Sequence, residues 1–88
     1  MDSAQLTLRQ KLRVRLGELQ TLRDELRLHL HLMGMDAKDA MTDLEPRIDR
    51  LEADIERVGD DALGRLATSL ERIATSLRAL RERHTHAA

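Results

Sequence analysis

The residues with most chemical reach in this 88-residue sequence are its four histidines. They come as two spaced pairs, His29 with His31 and His84 with His86. Helix positions two apart point about 200° apart, so neither pair can ligate one metal ion from a single helix. On a strand the two side chains would share a face, and two copies across a dimer axis would assemble a four-histidine site. No His-x₃-His spacing accompanies either pair. The plain reading makes them helix-surface or seam residues, with His84 continuing a C-terminal leucine seam.

The acidic residues are the next candidates. Ten of them, including Asp36, Asp39, Asp43, Glu45, Asp49 and Asp54, crowd into positions 36–62. Carboxylates do bind metals inside helical bundles, but that design needs Glu-x-x-His on inward faces. Here they lie outside the apolar positions and alternate with Arg47, Arg50 and Arg57. Helix-spaced pairs such as Asp43 with Arg47 predict a solvated, ion-paired face. A basic cluster, Arg9, Lys11, Arg13 and Arg15, suggests phosphate, but its charges do not share one helical face. With no Phe, Trp or Tyr, nothing stacks on a base or anchors at a membrane interface. The candidate nucleophiles are Ser3, Ser69 and Ser76, none beside a His in a tight turn, and there is no Cys and no glycine-rich phosphate loop.

The elements that carry these residues read as helices. Leu, Ala, Glu and Arg dominate, 35% of residues are charged, and there is one proline. That is the composition of long helices and coiled coils. A formal net charge of −1 argues against a dedicated nucleic-acid binder. The charge is segregated: the balance is +2 over residues 1–35, −6 over 36–62 and +3 over 63–88. An acidic middle segment is therefore expected to pair with the basic C-terminal helix. The start of the sequence has no basic leader followed by an apolar run, and the longest apolar stretch without Lys, Arg, Asp or Glu, Leu28 to Met35, is too short for a membrane span. A cytoplasmic protein is expected.

Three apolar runs follow helical spacing. Leu63, Leu66, Leu70, Ile73, Leu77 and Leu80 step alternately by three and four, an a/d heptad seam. Ala62, Ser69 and Ser76 flank it on one side, Ala67 and Ala74 on the other. Small flanks let neighbouring helices approach closely, so this helix is expected inside a bundle. Upstream, Leu12, Leu16, Leu19, Leu26, Leu30 and Met33 make a second seam, with Arg23 in one slot, and Leu44, Ile48, Leu51, Ile55 and Val58 make a third. The segment from Leu26 to Leu32 alternates strictly, as a strand would, but its Leu- and Arg-rich neighbourhood favours helix. On a helix, Leu28, Leu32 and Met35 then face away from Leu26, Leu30 and Met33, which predicts burial on two sides.

One pattern occurs twice: an apolar residue, Gly, a variable residue, Asp, Ala. It covers Met33 to Ala37 and Val58 to Ala62. Gly suits a helix C′ position and Asp the N-cap of the next helix. The heptad register slips across Gly59, which marks a turn at 59–61, but continues across Gly34. Pro46 would kink a helix there, or Thr42 with Glu45 would start a new one. The favoured architecture is all-α, one domain over 1–88. It is a helical hairpin with a long kinked first helix over about 4–58, a second over about 61–84 and a frayed tail at 85–88. The alternative is a three-helix bundle with turns at Gly34 and Gly59.

The hairpin model has a functional consequence. A helix of that length is roughly 80 Å long and its partner roughly 36 Å, so the leucines of residues 6–33 would find no cover within the chain. Such a stripe does not stay exposed on a monomer, which predicts a coiled-coil or four-helix-type dimer. Its interface would hold Leu16, Leu19, Leu26, Leu30, Met33, Leu63, Leu66, Leu70, Ile73 and Leu77. The expected function is that of a non-enzymatic structural or interaction protein, partnered by itself and by other helical proteins, with no cofactor and no nucleic acid. One alternative is a metal-binding helical protein using interfacial histidines. Another is a small all-α dimeric enzyme. In size, helicity and an Arg-rich first segment the chain is similar to the small all-α chorismate mutases, but their spaced Arg, Lys and Glu pattern is not found in it. A buried Arg and Glu cluster would mark the enzyme.

Overall fold

The computed structural model describes residues 6–87, with side chains through residue 83. It is all-α among those residues: α1 spans Leu8–Leu28, α2 Met35–Arg57 and α3 Leu63–Ala87, with one 3₁₀ turn at Leu30–Leu32 and another at Asp60–Ala62. The helices run up, down and up, and the bundle measures 42 × 26 × 17 Å.

The single long first helix is not formed. The chain turns at both glycine patterns, as in the three-helix alternative. An unbroken heptad register across Gly34 preserves which residues are apolar but does not require the helix to continue. The backbone closes the end of α1 with short-range bonds, His29 N–H to Leu26 O at 3.1 Å, Leu32 N–H to His29 O at 2.9 Å and Met33 N–H to Leu30 O at 3.1 Å. The alternating segment is therefore neither strand nor continuous helix; it is where α1 tightens into a 3₁₀ turn. Met33 then goes extended and Gly34 heads α2.

The two glycines do not do what the sequence suggests. Gly34 has φ −70°, ψ 169° and Gly59 φ −74°, ψ 167°. Both are extended residues that head the next helical segment, and no described glycine has positive φ. The aspartates after them are not N-caps; Asp36 lies in the first turn of α2, and Asp60 and Asp61 lie in the second 3₁₀ turn. Acidic groups there still meet the positive end of the helix dipole. Pro46 sits inside α2, so no helix begins at Thr42. At its own start, α1 carries a capping box: Thr7 Oγ1 accepts from Gln10 N–H at 3.1 Å and Gln10 Oε1 from Thr7 N–H at 2.8 Å. This puts the helix start at Leu8 and not near residue 4. At the other end α3 extends to Ala87, into the segment read as a tail.

The three seams converge on one core. Leu12, Leu16, Leu19, Leu22 and Leu26 of α1 meet Met41, Leu44, Ile48, Leu51 and Ile55 of α2 and Leu63, Leu70, Ile73, Leu77 and Leu80 of α3. Met33 plugs the Gly34 end, while Leu30 and Leu66 are partly buried against the cluster. The residues expected at a dimer interface are thus covered within one chain. The premise that the N-terminal leucines lack a partner does not hold, because the turn at Gly34 brings α2 back beside them. Each such side chain contributes roughly 2 kcal/mol of burial before entropy is counted. A charge at Leu70, which is 2% exposed, would therefore unfold the chain and not merely dissociate it.

Candidate interaction surface

No described side chain that is polar or charged is buried. The chemistry of this chain is at its surface, and the histidines do not gather there. His29 ends α1, exposed, with Nδ1 3.1 Å from Glu25 O. His31 is exposed in the 3₁₀ turn. The side chains of His84 and His86 lie outside the described residues. Among the described residues no three His, Asp or Glu side chains converge as a metal site would require. Arg and Glu form no buried cluster among the described residues either.

The charged residues are instead arranged by groove. A three-helix bundle has three, and α1 borders two of them. Across the α1–α2 groove, Arg13 forms a bidentate pair with Glu56, both bonds at 2.7 Å. Arg27 meets Glu45 in the same groove, and Gln20 donates to Glu52 at 2.9 Å. Across the α1–α3 groove Arg15 pairs with Glu71. The hydrogen bond from Arg13, with its charge, holds the Glu56 carboxyl below its ordinary pKa; the bonds to Glu56, Glu71 and Glu45 push the guanidiniums of Arg13, Arg15 and Arg27 up. The basic N-terminal cluster is thus dispersed. Arg9 reaches the end of α2, Arg13 its flank and Arg15 α3, so no common phosphate-binding face exists among them.

The α2–α3 groove differs. The expected pairing of an acidic α2 with a basic α3 is not made: among the described residues no ion pair joins them. The acids facing α1 take its arginines, and the remaining pairs near this groove, Asp43 with Arg47 at 3.3 Å and Asp54 with Arg57, are within α2. The groove encloses about 680 Å³, with Asp39, Asp43 and Asp54 and also Arg47, Arg50 and Arg72 along its walls. Leu51 and Ile73 are buried beneath it, and Leu66 and Ser69 form part of its α3 side. A second recess, of about 200 Å³, lies further along the same two helices toward Gly34, walled by Leu32, Asp36, Leu80 and Arg83.

No family model, curated protein or solved structure matches the chain. Its surface must therefore be read on its own terms. The three most exposed large apolar side chains are Leu28 (74%), Met35 (69%) and Leu32 (64%). All three flank the Gly34 turn. The sequence flagged them as a second apolar face and predicted that they would be buried; within one chain they are not. What sequence reasoning missed was the open α2–α3 groove. Its signal was present in the small residue at Ser69 and in the unshared charges of Asp39, Arg50 and Arg72, but it becomes visible only once the helix directions are known. Among the described residues no helix is long and apolar enough to cross a membrane.

Proposed function

We propose that this chain is a non-enzymatic helical interaction module that binds a second copy of itself, with other helical proteins as further partners. The observation that carries the reading is the exposure of Leu28, Leu32 and Met35, the three most exposed large apolar side chains among the described residues, all beside the Gly34 turn. Apolar side chains exposed together around one turn are of the kind that mark contact surfaces. A core without buried polar groups supports the same reading, because catalysis and cofactor binding draw on polar groups held away from water. The heptad leucines serve folding, so association falls to the outer faces of the bundle.

The test is the solution mass, by light scattering on a sizing column across a dilution series. A mass above the 10.1 kDa of one chain, falling toward it on dilution, is the expected result. Leu32→Ser combined with Met35→Ser should shift that transition to higher concentration while leaving the helical circular dichroism unchanged. A chain that stays at monomer mass at every concentration overturns the reading.

A further inference from the structure

We infer that the α2–α3 groove is the surface that receives the second copy, docked antiparallel about a two-fold axis near Pro46. The inference rests on the self-association proposed above and names the face it uses.

Charge is ordered along one stripe of α2. Asp39, Asp43, Pro46 and Arg50 follow one another at spacings of four, three and four, so they share one flank of the helix, and all four line the groove. Asp43 and, four residues past Arg50 on the same flank, Asp54 are paired within α2 to Arg47 and Arg57, which leaves Asp39 as the free acid toward Gly34 and Arg50 as the free base beyond Pro46. Asp39 and Arg50 are eleven positions apart, or roughly 16 Å along the axis, too far to neutralise one another. Among the described residues Asp39, Arg50 and Arg72 make no ion pair. In both grooves that α1 borders, the opposed charges of neighbouring helices are joined. Here, among the described residues, no ion pair crosses between the two helices.

A second copy in the reverse direction matches them. In an antiparallel pairing centred between Asp43 and Pro46, Asp39 of one copy falls opposite Arg50 of the other, beside Arg72, and the same contacts recur on the opposite side of the axis. This self-complementarity is what an isologous interface requires. The remaining features of the groove agree with it. Three aspartates and three arginines balance, so a polyanion or a polycation would be repelled by half the lining. Ser69 is exposed and small on the α3 side, which lets a helix approach closely. Leu66 offers apolar surface beneath the charges, and the recess beyond it reaches Leu32, one of the exposed apolar residues at the Gly34 end. The apolar contact supplies affinity and the charges supply direction.

The test uses two double variants of the full chain, Asp39→Lys with Asp43→Lys, and Arg50→Glu with Arg72→Glu. These side chains are exposed, so each variant should keep the circular dichroism of the parent. Each alone should self-associate at least tenfold more weakly than the parent, and an equimolar mixture should recover the parent's mass as a mixed dimer. Ser69→Trp, which fills the groove without changing charge, should also weaken the dimer at least tenfold. If the parent associates but neither the charge variants nor Ser69→Trp alter it, the groove assignment is overturned while self-association stands. If the parent is monomeric throughout, both fall. Variants that weaken alone but do not recover when mixed overturn the antiparallel pairing.

Discussion

The chain turns twice on the same five-residue pattern, and the two turns sit in opposite surroundings. After Val58 the backbone is held from outside. The Arg9 guanidinium, from the start of α1, donates to Val58 O at 2.9 Å, to Ile55 O, and to Asp60 Oδ1 at 3.1 Å. Those carbonyls are among the ones a helix leaves unpaired at its C-terminus, and a cation is favoured there. After Met33 the turn holds itself by its own 3₁₀ bonds and leaves Leu28, Leu32 and Met35 exposed beside it. One pattern thus yields a closed end and an open end. The glycine pattern fixes how the chain reverses; long-range contacts decide whether the turn is sealed or available.

Matched core substitutions should show this difference most strongly. Leu63 (2% exposed) lies at the closed end and Met33 (8% exposed) at the open one. Leu63→Ala should cost about 3 kcal/mol in urea unfolding, through lost transfer energy and the cavity left behind. Met33→Ala should cost less, about 2 kcal/mol, because water already reaches its side and the turn can settle into the gap. Equal losses would mean that the two ends are packed alike. The clamp itself comes next. Arg9→Met keeps much of the aliphatic stem and removes the donors, and should destabilise the chain by about 1–2 kcal/mol, since the carbonyls of Ile55 and Val58 lose their partner.

The sequence carried the composition of the core almost completely. Each residue of its three seams that heptad spacing picked out, Leu12 through Leu80, is buried or partly buried, because a three-four repeat places a side chain on the same face wherever the helix starts. It also contained the α1 capping box, Thr7 with Gln10, at the spacing that such caps use. The choice between one long helix and two was not legible, because Leu26 to Met33 satisfies both a continuing seam and a buried plug at a turn. Nor was the pairing of charges. Segment totals match acidic α2 with either basic neighbour, and only the rotation of each helix about its axis decides that Glu45 and Glu56 face α1 while Asp39 and Asp43 border the open groove. The candidate surface is a product of those rotations, which no local pattern encodes.

The glycines give a subtler contrast. Both have the extended geometry of an N-cap, and neither has a side chain to accept from the first turn of the helix it heads. A Cβ at Gly34 meets nothing within 4 Å, whereas at Gly59 it comes 3.0 Å from Asp61 Oδ1. Gly34→Ser should therefore stabilise by about 0.5 kcal/mol, through a gained cap and a less flexible unfolded chain. Gly59→Ser should gain less or nothing, because the Asp61 carboxylate must move aside. Thermal melts of the two variants at one pH measure the difference.

The smallest effect concerns the ion pair next to the closed end. Glu56 lies two residues before Val58 and is bonded twice by Arg13. The hydrogen bond from Arg13 lowers its pKa on folding. A carboxyl whose folded pKa is depressed adds stability above its unfolded pKa, and that contribution disappears as the pH falls through the folded value. Glu56→Gln should thus lower Tm slightly at neutral pH and leave it equal to the parent's once the pH is below both values, so the two acid-unfolding curves should converge. Both side chains are largely in solvent, at 50% and 54% exposure, so the gap should shrink in high salt as well. Parallel curves at every pH would show that Arg13 and Glu56 are neighbours that contribute nothing to the seal, and would leave Arg9 as the sole tie between the start of α1 and the end of α2.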